Sequence, residues 1–223
     1  RALAESGAAE HLYLAGKDWP NGRFTPEIAK ALAESGDAEH LYLAGKDWPN
    51  GRFTPEMTEA LAEFGDPYHF YLAGCDWPDE HYGDVIAQAL LMCNMPEFLY
   101  RAGRDWPDDR FSAEMAQLLV ATGNTRYLYL AGRDWPDAHL DTAIACALAR
   151  RGNPKWLYLA GKHWPEGRCD QAIVQGLSAT AEPKYFYLAG LNWPDARYST
   201  IIVERLAELK DPEYLYRAGR YWP

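Results

Sequence analysis

Three histidines that recur in register, His11, His40 and His69, are the first candidates for metal chemistry in this chain. Imidazole nitrogens hold zinc when each lies about 2 Å from the ion. These histidines are 29 residues apart, and equivalent atoms of stacked helical repeats lie about 8–10 Å apart. One ion cannot be shared across that distance, and aromatic residues replace the histidine further along the chain. We therefore expect a packing position and no metal site.

Carboxylates also recur, each immediately before a Trp-Pro pair, and a cation follows five residues later. The aspartates are Asp18, Asp47, Asp76, Asp105 and Asp134, and the residues that follow them are Arg23, Arg52, His81, Arg110 and His139. Carboxylates bind calcium when several oxygens converge on one ion, but no single loop holds such a cluster. The spacing predicts instead that each carboxylate and cation pair across their own loop, a contribution of about 0–1 kcal/mol.

No group of residues predicts catalysis, because an active site needs one unique constellation and nearly every polar residue here has a copy in another repeat. We expect no enzyme activity, no cofactor and no bound metal. The cysteines fall at four different repeat positions, which favours free thiols in a reducing compartment and slightly favours the cytoplasm. They are Cys75, Cys93, Cys146 and Cys169.

These residues belong to a repeat that is marked by eight Trp-Pro pairs at 29-residue spacing, from Trp19 to Trp222. Periods of about 20–50 residues are typical of solenoids and related arrays, in which each repeat packs against its neighbours. We predict a single repeat array over 1–223 that starts with a partial repeat at 1–20. The complete repeats are 21–49, 50–78, 79–107, 108–136, 137–165, 166–194 and 195–223.

Each repeat carries the signals of two short helices. The first helix is predicted after residues that favour N-caps, namely Thr25, Thr54, Gly83, Ser112, Asp141, Asp170 and Ser199. Apolar residues four apart follow, such as Ile28 and Leu32, which is helical spacing. Left-handed residues are predicted to end this helix at Gly36, Gly65, Asn94, Gly123 and Gly152. Ala181 and Lys210 do not favour that conformation, so a different turn is expected there.

The second helix is predicted to begin after a second cap at Asp37, Asp66, Asn124, Asn153 and Asp211. Proline often follows this cap and suits the first helical position. The helix is apolar on most sides, which indicates burial between neighbouring repeats, and the proline after each tryptophan ends it. The fold class predicted from these signals is all-α, an α-solenoid of about eight 29-residue helix-turn-helix repeats.

Two sets of residues could form an interaction surface. A tyrosine and an Ala-Gly pair accompany every tryptophan, and we interpret the Ala-Gly pair as allowing close approach of a neighbouring helix. Two residues before that tyrosine lies a second aromatic series that includes Tyr127, Trp156 and Tyr185. It predicts either a packing surface or an extended aromatic groove for a carbohydrate or peptide.

The last repeat is more apolar than its siblings at Ile201, Leu209 and Tyr221. Terminal repeats usually need polar outer faces, so these residues predict a contact with another protein or a second copy. Residues 1–107 hold 18 acidic and 8 basic residues, whereas residues 108–223 hold 14 of each. The net charge of −10 argues against a nucleic-acid partner, and no apolar run is long enough to span a membrane.

The segment from Gly123 to Pro136, which reads GNTRYLYLAGRDWP, resembles the repeats of short bacterial and viral α-helical hairpin arrays. It is also broadly similar to tetratricopeptide-like and Sel1-like solenoids, although their periods differ from 29 residues. The resemblance implies a scaffold or binding surface and brings no catalytic residues. Our first hypothesis is therefore a non-enzymatic scaffold that works by protein–protein association, including self-assembly. The alternative is the aromatic groove.

Overall fold

The computed structural model describes residues 2–137, 139, 142–165, 167, 170–194 and 200–222. Within these ranges the chain forms sixteen helices and no strand. It divides into two compact units, Arg1–Ser112 and Ala113–Pro223. The prediction of a single array across both units stays a prediction.

The helices of the first unit are α1 Ala2–Ser6, α2 Ala9–Asp18, α3 Pro26–Ser35, α4 Ala38–Asp47, α5 Pro55–Phe64, α6 Pro67–Asp76, α7 Asp84–Cys93 and α8 Pro96–Asp105. Those of the second unit are α9 Ala113–Thr122, α10 Thr125–Asp134, α11 Thr142–Arg151, α12 Pro154–His163, α13 Asp170–Ser178, α14 Pro183–Asn192, α15 Thr200–Leu209 and α16 Pro212–Tyr221.

Each unit has two layers of stacked helices. In the first unit, α1, α3, α5 and α7 contact one another in sequence, and α2, α4, α6 and α8 do the same. The second unit repeats this order with α9, α11, α13 and α15 in one layer and α10, α12, α14 and α16 in the other. In addition, α2 packs on α3, α4 on α5 and α6 on α7 in the first unit, and α10 packs on α11, α12 on α13 and α14 on α15 in the second. The chain therefore has the helical repeats of an α-solenoid, which confirms the predicted fold class.

The signals for the second helix of each repeat are confirmed. The Asp37 carboxylate accepts a hydrogen bond from the amide of His40, and Asp66, Asn124, Asn153 and Asp211 cap their helices in the same way. Proline occupies the first position wherever the sequence offers it, as at Pro67. Every one of these helices ends immediately before a tryptophan in extended conformation, because the following proline disfavours helical geometry there.

The first helix of each repeat differs from the prediction at several of its N-termini. Thr25 and Thr54 stand at the N-cap but accept no amide hydrogen bond. Their hydroxyls donate instead to the carboxylates of Glu27 and Glu56, which lowers the pKa of both glutamates. Asp170 is the first residue of α13 rather than its cap. Asp141 and Ser199 lie outside the described residues.

The C-terminal turns also differ in part from prediction. Gly36, Gly123 and Gly152 are left-handed, as is Asn94. Gly65 is extended, with φ −73° and ψ 173°, so the prediction for it was wrong. Lys210 is left-handed with φ 55°, although a lysine adopts that region only at a cost. The turn before Ala181 does differ, because α13 ends early at Ser178.

Candidate interaction surfaces

The contact between successive repeats is built around the recurring tryptophan. Trp77 is only 2% exposed, and its indole N–H donates to the backbone carbonyl of Tyr42 at 2.9 Å. The same bond, between residues 35 apart, joins Trp48 to Tyr13, Trp106 to Tyr71, Trp164 to Tyr129, Trp193 to Tyr158 and Trp222 to Tyr187. We call the surface that receives the ring the indole site, and it consists of a Tyr-x-Ala-Gly segment such as Tyr42–Gly45.

The glycine of the indole site is required by the ring. A Cβ added at Gly45 would lie less than 3.0 Å from Trp77, closer than real side chains approach. The same holds at Gly16, Gly74, Gly132, Gly161 and Gly190. We interpreted the Ala-Gly pair as allowing close approach of a neighbouring helix. The structure adds that the atoms nearest the glycine belong to the tryptophan at the C-cap of that helix.

Three of these aspartates, Asp47, Asp76 and Asp105, accept a hydrogen bond from a tyrosine of the preceding repeat. The Tyr13 hydroxyl donates to the Asp47 carboxylate, and the Lys17 ammonium bonds the same oxygen at 2.7 Å. Asp76 receives Tyr42 and Lys46 in the same way. The predicted pairing with the cation of the same loop is therefore wrong for Asp47 and Asp76, and also for Asp105, which receives the Tyr71 hydroxyl.

The cation of the loop is buried and bonds oxygen atoms 31 to 36 residues earlier in the chain. Arg52 is 7% exposed and donates to the carbonyls of Gly16 at 2.5 Å and Trp19 at 2.7 Å, and to Asn21 Oδ1 at 2.6 Å. Arg110 makes the equivalent bonds to Gly74, Trp77 and Asp79. His81 replaces the arginine in the next repeat and makes one of these contacts, since its Nδ1 lies 2.7 Å from the Gly45 carbonyl oxygen.

The Asp47 carboxylate makes stability depend on pH. The bonds from Lys17 and Tyr13 hold the pKa of Asp47 below its ordinary value, so its stabilising effect is present above the unfolded-state pKa of about 3.9 and is lost as pH falls through the folded-state pKa. We expect Asp47→Asn to lower the free energy of unfolding by about 1 kcal/mol or less at neutral pH, because the pair is partly exposed. Denaturant titrations from about pH 6 to about pH 2.5 should show the difference disappear.

The control for this experiment is Glu34→Gln, which alters an exposed carboxylate that pairs only within its own helix. A difference between Asp47→Asn and the parent chain that stays constant down to the lowest pH would contradict the role of the ionised carboxylate.

The aromatic series places Tyr127, Trp156 and Tyr185 at one register on α10, α12 and α14, and all three are half-buried. Trp156 packs on Tyr129 with ring centroids 5.2 Å apart, and Tyr185 packs on Tyr158 at 6.0 Å. Lys155 and Lys184 lie over the outer rings. The Trp156 and Tyr185 rings thus contribute to the contacts between repeats. Binding of a carbohydrate or peptide by the exposed parts of this aromatic series stays a prediction.

The three residues predicted at an apolar end surface lie on the last two helices. Ile201 and Tyr221 are exposed, and Leu209 is half-buried. Sequence reasoning missed Tyr216, which is 65% exposed although its counterparts Tyr158 and Tyr187 are buried. It also missed Trp19, which is 38% exposed. The signal for both was the fixed 35-residue separation between a tryptophan and the tyrosine that accepts its hydrogen bond.

We also considered metal sites, cysteines, clefts and membrane-spanning helices. In the described part of the chain, no three His, Cys, Asp or Glu residues converge to hold a metal ion. Burial raises the pKa of the Cys75 and Cys93 thiols, and Cys169 lies outside the described residues. A cleft of about 550 Å³ beside α3 is lined by exposed residues of two helices, among them Glu27, Glu34 and Glu56. None of the described helices is both long and apolar enough to cross a membrane.

Comparisons with known proteins do not place the chain in a family. No family model matches it, and no curated protein or solved structure matches it either.

Proposed function

We propose that this chain is a non-enzymatic repeat scaffold that acts by protein–protein association, and that it associates with itself end to end. The observation that carries the proposal is the exposed apolar surface of the last repeat. Ile201, Val203, Leu215, Tyr216 and Tyr221 are each at least 39% exposed. An apolar patch on a protein surface marks a contact with a partner or a risk of aggregation.

The residues at the two ends differ, so joining them is a heterologous contact. Such a contact gives a ring if the rotation closes and a filament if it does not. The net negative charge of the chain lies in residues 1–107, because 108–223 hold equal numbers of acidic and basic residues. This distribution reduces repulsion when the acidic half of one copy meets the neutral half of another. The resemblance to tetratricopeptide-like and Sel1-like solenoids supports a role in protein association.

Light scattering across a concentration series tests this proposal. We expect the mass of the parent chain to rise above 25.3 kDa as its concentration rises. Ile201→Glu combined with Leu209→Ser should return the mass toward the monomer, because the new charge and hydroxyl must be desolvated in the contact. Met92→Glu is the matched control, since Met92 is an exposed apolar residue on α7, far from α15 in sequence.

A mass of 25.3 kDa that persists to high micromolar concentration would rule out self-association and leave association with a different protein. Equal loss of association in Met92→Glu would show that added charge, rather than the surface on α15, is responsible.

A further inference from the structure

A row of exposed cations lies along the second unit, at the turns that lead into three of its helices. They occupy the second position of α10, α12 and α14, at Arg126, Lys155 and Lys184. Because these helices contact one another in sequence, neighbouring cations lie about 8–10 Å apart. Arg151 at the end of α11 belongs to the same row, since its guanidinium lies beside Gly123 in the turn before α10. We call these four cations the basic row.

The contacts within the chain do not account for the charge of the basic row. None of the four cations forms an ion pair with another described residue. Three of them stand in the first turn of a helix, where a cation opposes the helix dipole. The first unit holds the opposite charge at the same position of the repeat, at Glu10, Glu39 and Glu97. Three consecutive repeats therefore present positive charge to solvent against the preference of their own helices.

An aromatic ring accompanies each cation of α10, α12 and α14. The cation lies 5.2 to 5.7 Å from the ring centroid in each pair, namely Lys155 with Trp156, Arg126 with Tyr127 and Lys184 with Tyr185. Trp156 and Tyr185 also pack on tyrosines of the preceding repeat, which leaves less of each ring face for stacking on a sugar. The exposed groups are thus cations beside half-buried rings, a combination that suits carboxylates joined by apolar residues.

We propose that the basic row binds an extended acidic peptide with a carboxylate at every third residue. In the polyproline II conformation a peptide has three residues per turn and rises about 3.1 Å per residue, so these carboxylates recur about 9 Å apart on one side. That spacing equals the spacing of the stacked helices, and one carboxylate meets each helix cation. The apolar residues between the carboxylates contact the aromatic rings.

Spacing and charge favour a peptide over a nucleic acid. Phosphates recur about 3.4 Å apart along each strand of duplex DNA, much closer than the cations of the basic row. The net charge of −10 also repels a partner with one charge per monomer more strongly than a partner with one charge per three residues. This inference rests on the proposed scaffold role, for which it names a class of partner, and does not depend on self-association.

A fluorescently labelled peptide of about 12 residues that repeats Glu-Pro-Pro tests the inference, because proline favours the polyproline II conformation. Fluorescence anisotropy should show saturable binding that weakens as salt is added. We expect Lys155→Glu to weaken binding about threefold to tenfold, and Lys184→Glu to add a similar factor. Glutamate is the residue that the first unit has at this position, so both variants should melt at or above the temperature of the parent chain.

Lys162→Glu is the matched control, because it makes the same change of charge on an exposed lysine near the other end of α12. Lys162 lies about 10 Å from Lys155 along the helix, beyond the Debye length of about 8 Å at 0.15 M salt. At that salt concentration we expect the control to bind the peptide within about twofold of the parent chain. Equal weakening by Lys155→Glu and Lys162→Glu would overturn the basic row as the binding surface.

Two further probes test the class of partner. A peptide of the same composition with its glutamates adjacent, and a single-stranded oligonucleotide, should each bind more weakly than the Glu-Pro-Pro peptide. Equal binding of either probe would show a general attraction for anions and overturn the inference. Absence of peptide binding would also overturn it but would leave the mass measured by light scattering, and with it self-association, unchanged. A monomeric chain that binds the peptide would support this inference while self-association fails.

Discussion

Trp77→Ala is expected to lower the free energy of unfolding by about 3–5 kcal/mol, the usual loss for a buried large aromatic side chain. The ring fills the indole site at Gly45, packs edge-on against Phe53 with centroids 5.0 Å apart and donates to the Tyr42 carbonyl. The substitution leaves a cavity and removes a hydrogen bond in one step. Denaturant unfolding followed by far-ultraviolet circular dichroism measures the loss.

Trp19→Ala is the matched control for this experiment, because Trp19 has the same place in its repeat but is 38% exposed. We expect it to change the free energy of unfolding of the dilute chain by about 1 kcal/mol or less. Similar losses for the two variants would show that contacts within one repeat, rather than the indole site of its neighbour, hold the tryptophan.

Gly45→Ala is expected to destabilise the chain by about 3 kcal/mol, although alanine favours helices by about 1 kcal/mol over glycine. The added Cβ would overlap the Trp77 ring, and that ring is fixed by its hydrogen bond and cannot turn away without losing it. Thermal or denaturant unfolding detects the change. Gly219→Ala, the same substitution at an open site, should be neutral or slightly stabilising in the monomer.

A neutral result for Gly45→Ala would mean that the indole moves aside without loss, and the requirement for glycine would then need another cause. The opposite signs expected for two identical substitutions at equivalent positions make this comparison sensitive to the contact itself, since helix propensity acts equally on both.

The helices could be predicted from the sequence because their signals are local. Asp37 caps its helix by accepting a hydrogen bond from the amide of His40, only three residues away. Pro67 suits the first position of its helix because of its own fixed backbone angle and missing N–H. The contacts between repeats could not be predicted in the same way. Asp47 lies five residues before Arg52, yet the two side chains do not pair with each other. Each bonds residues 30 to 36 positions earlier instead, because helix packing brings residues at that separation into contact.

The candidate interaction surfaces were also predicted only in part, because residue type is visible in the sequence whereas contacts between repeats are not. The apolar character of Ile201 and Tyr221 is visible in the sequence, and both are exposed. The turn at Lys210 was not predicted, because lysine does not favour the left-handed region in which the structure places it, at φ 55°.

The tryptophan of a repeat packs on the indole site of the repeat before it, as Trp48 does on the site that begins at Tyr13. The indole site of the same repeat receives the tryptophan of the repeat after it, as Tyr42 receives Trp77. Because every repeat makes the same two contacts, adding or removing whole 29-residue segments by unequal recombination preserves the contacts between repeats. An insertion of any other length would disrupt at least one of them. Residues 1–29 and 30–58 differ at only four positions, as expected of a segment copied too recently to have diverged. The fold thus lets a gene change the length of its product without passing through an unstable intermediate.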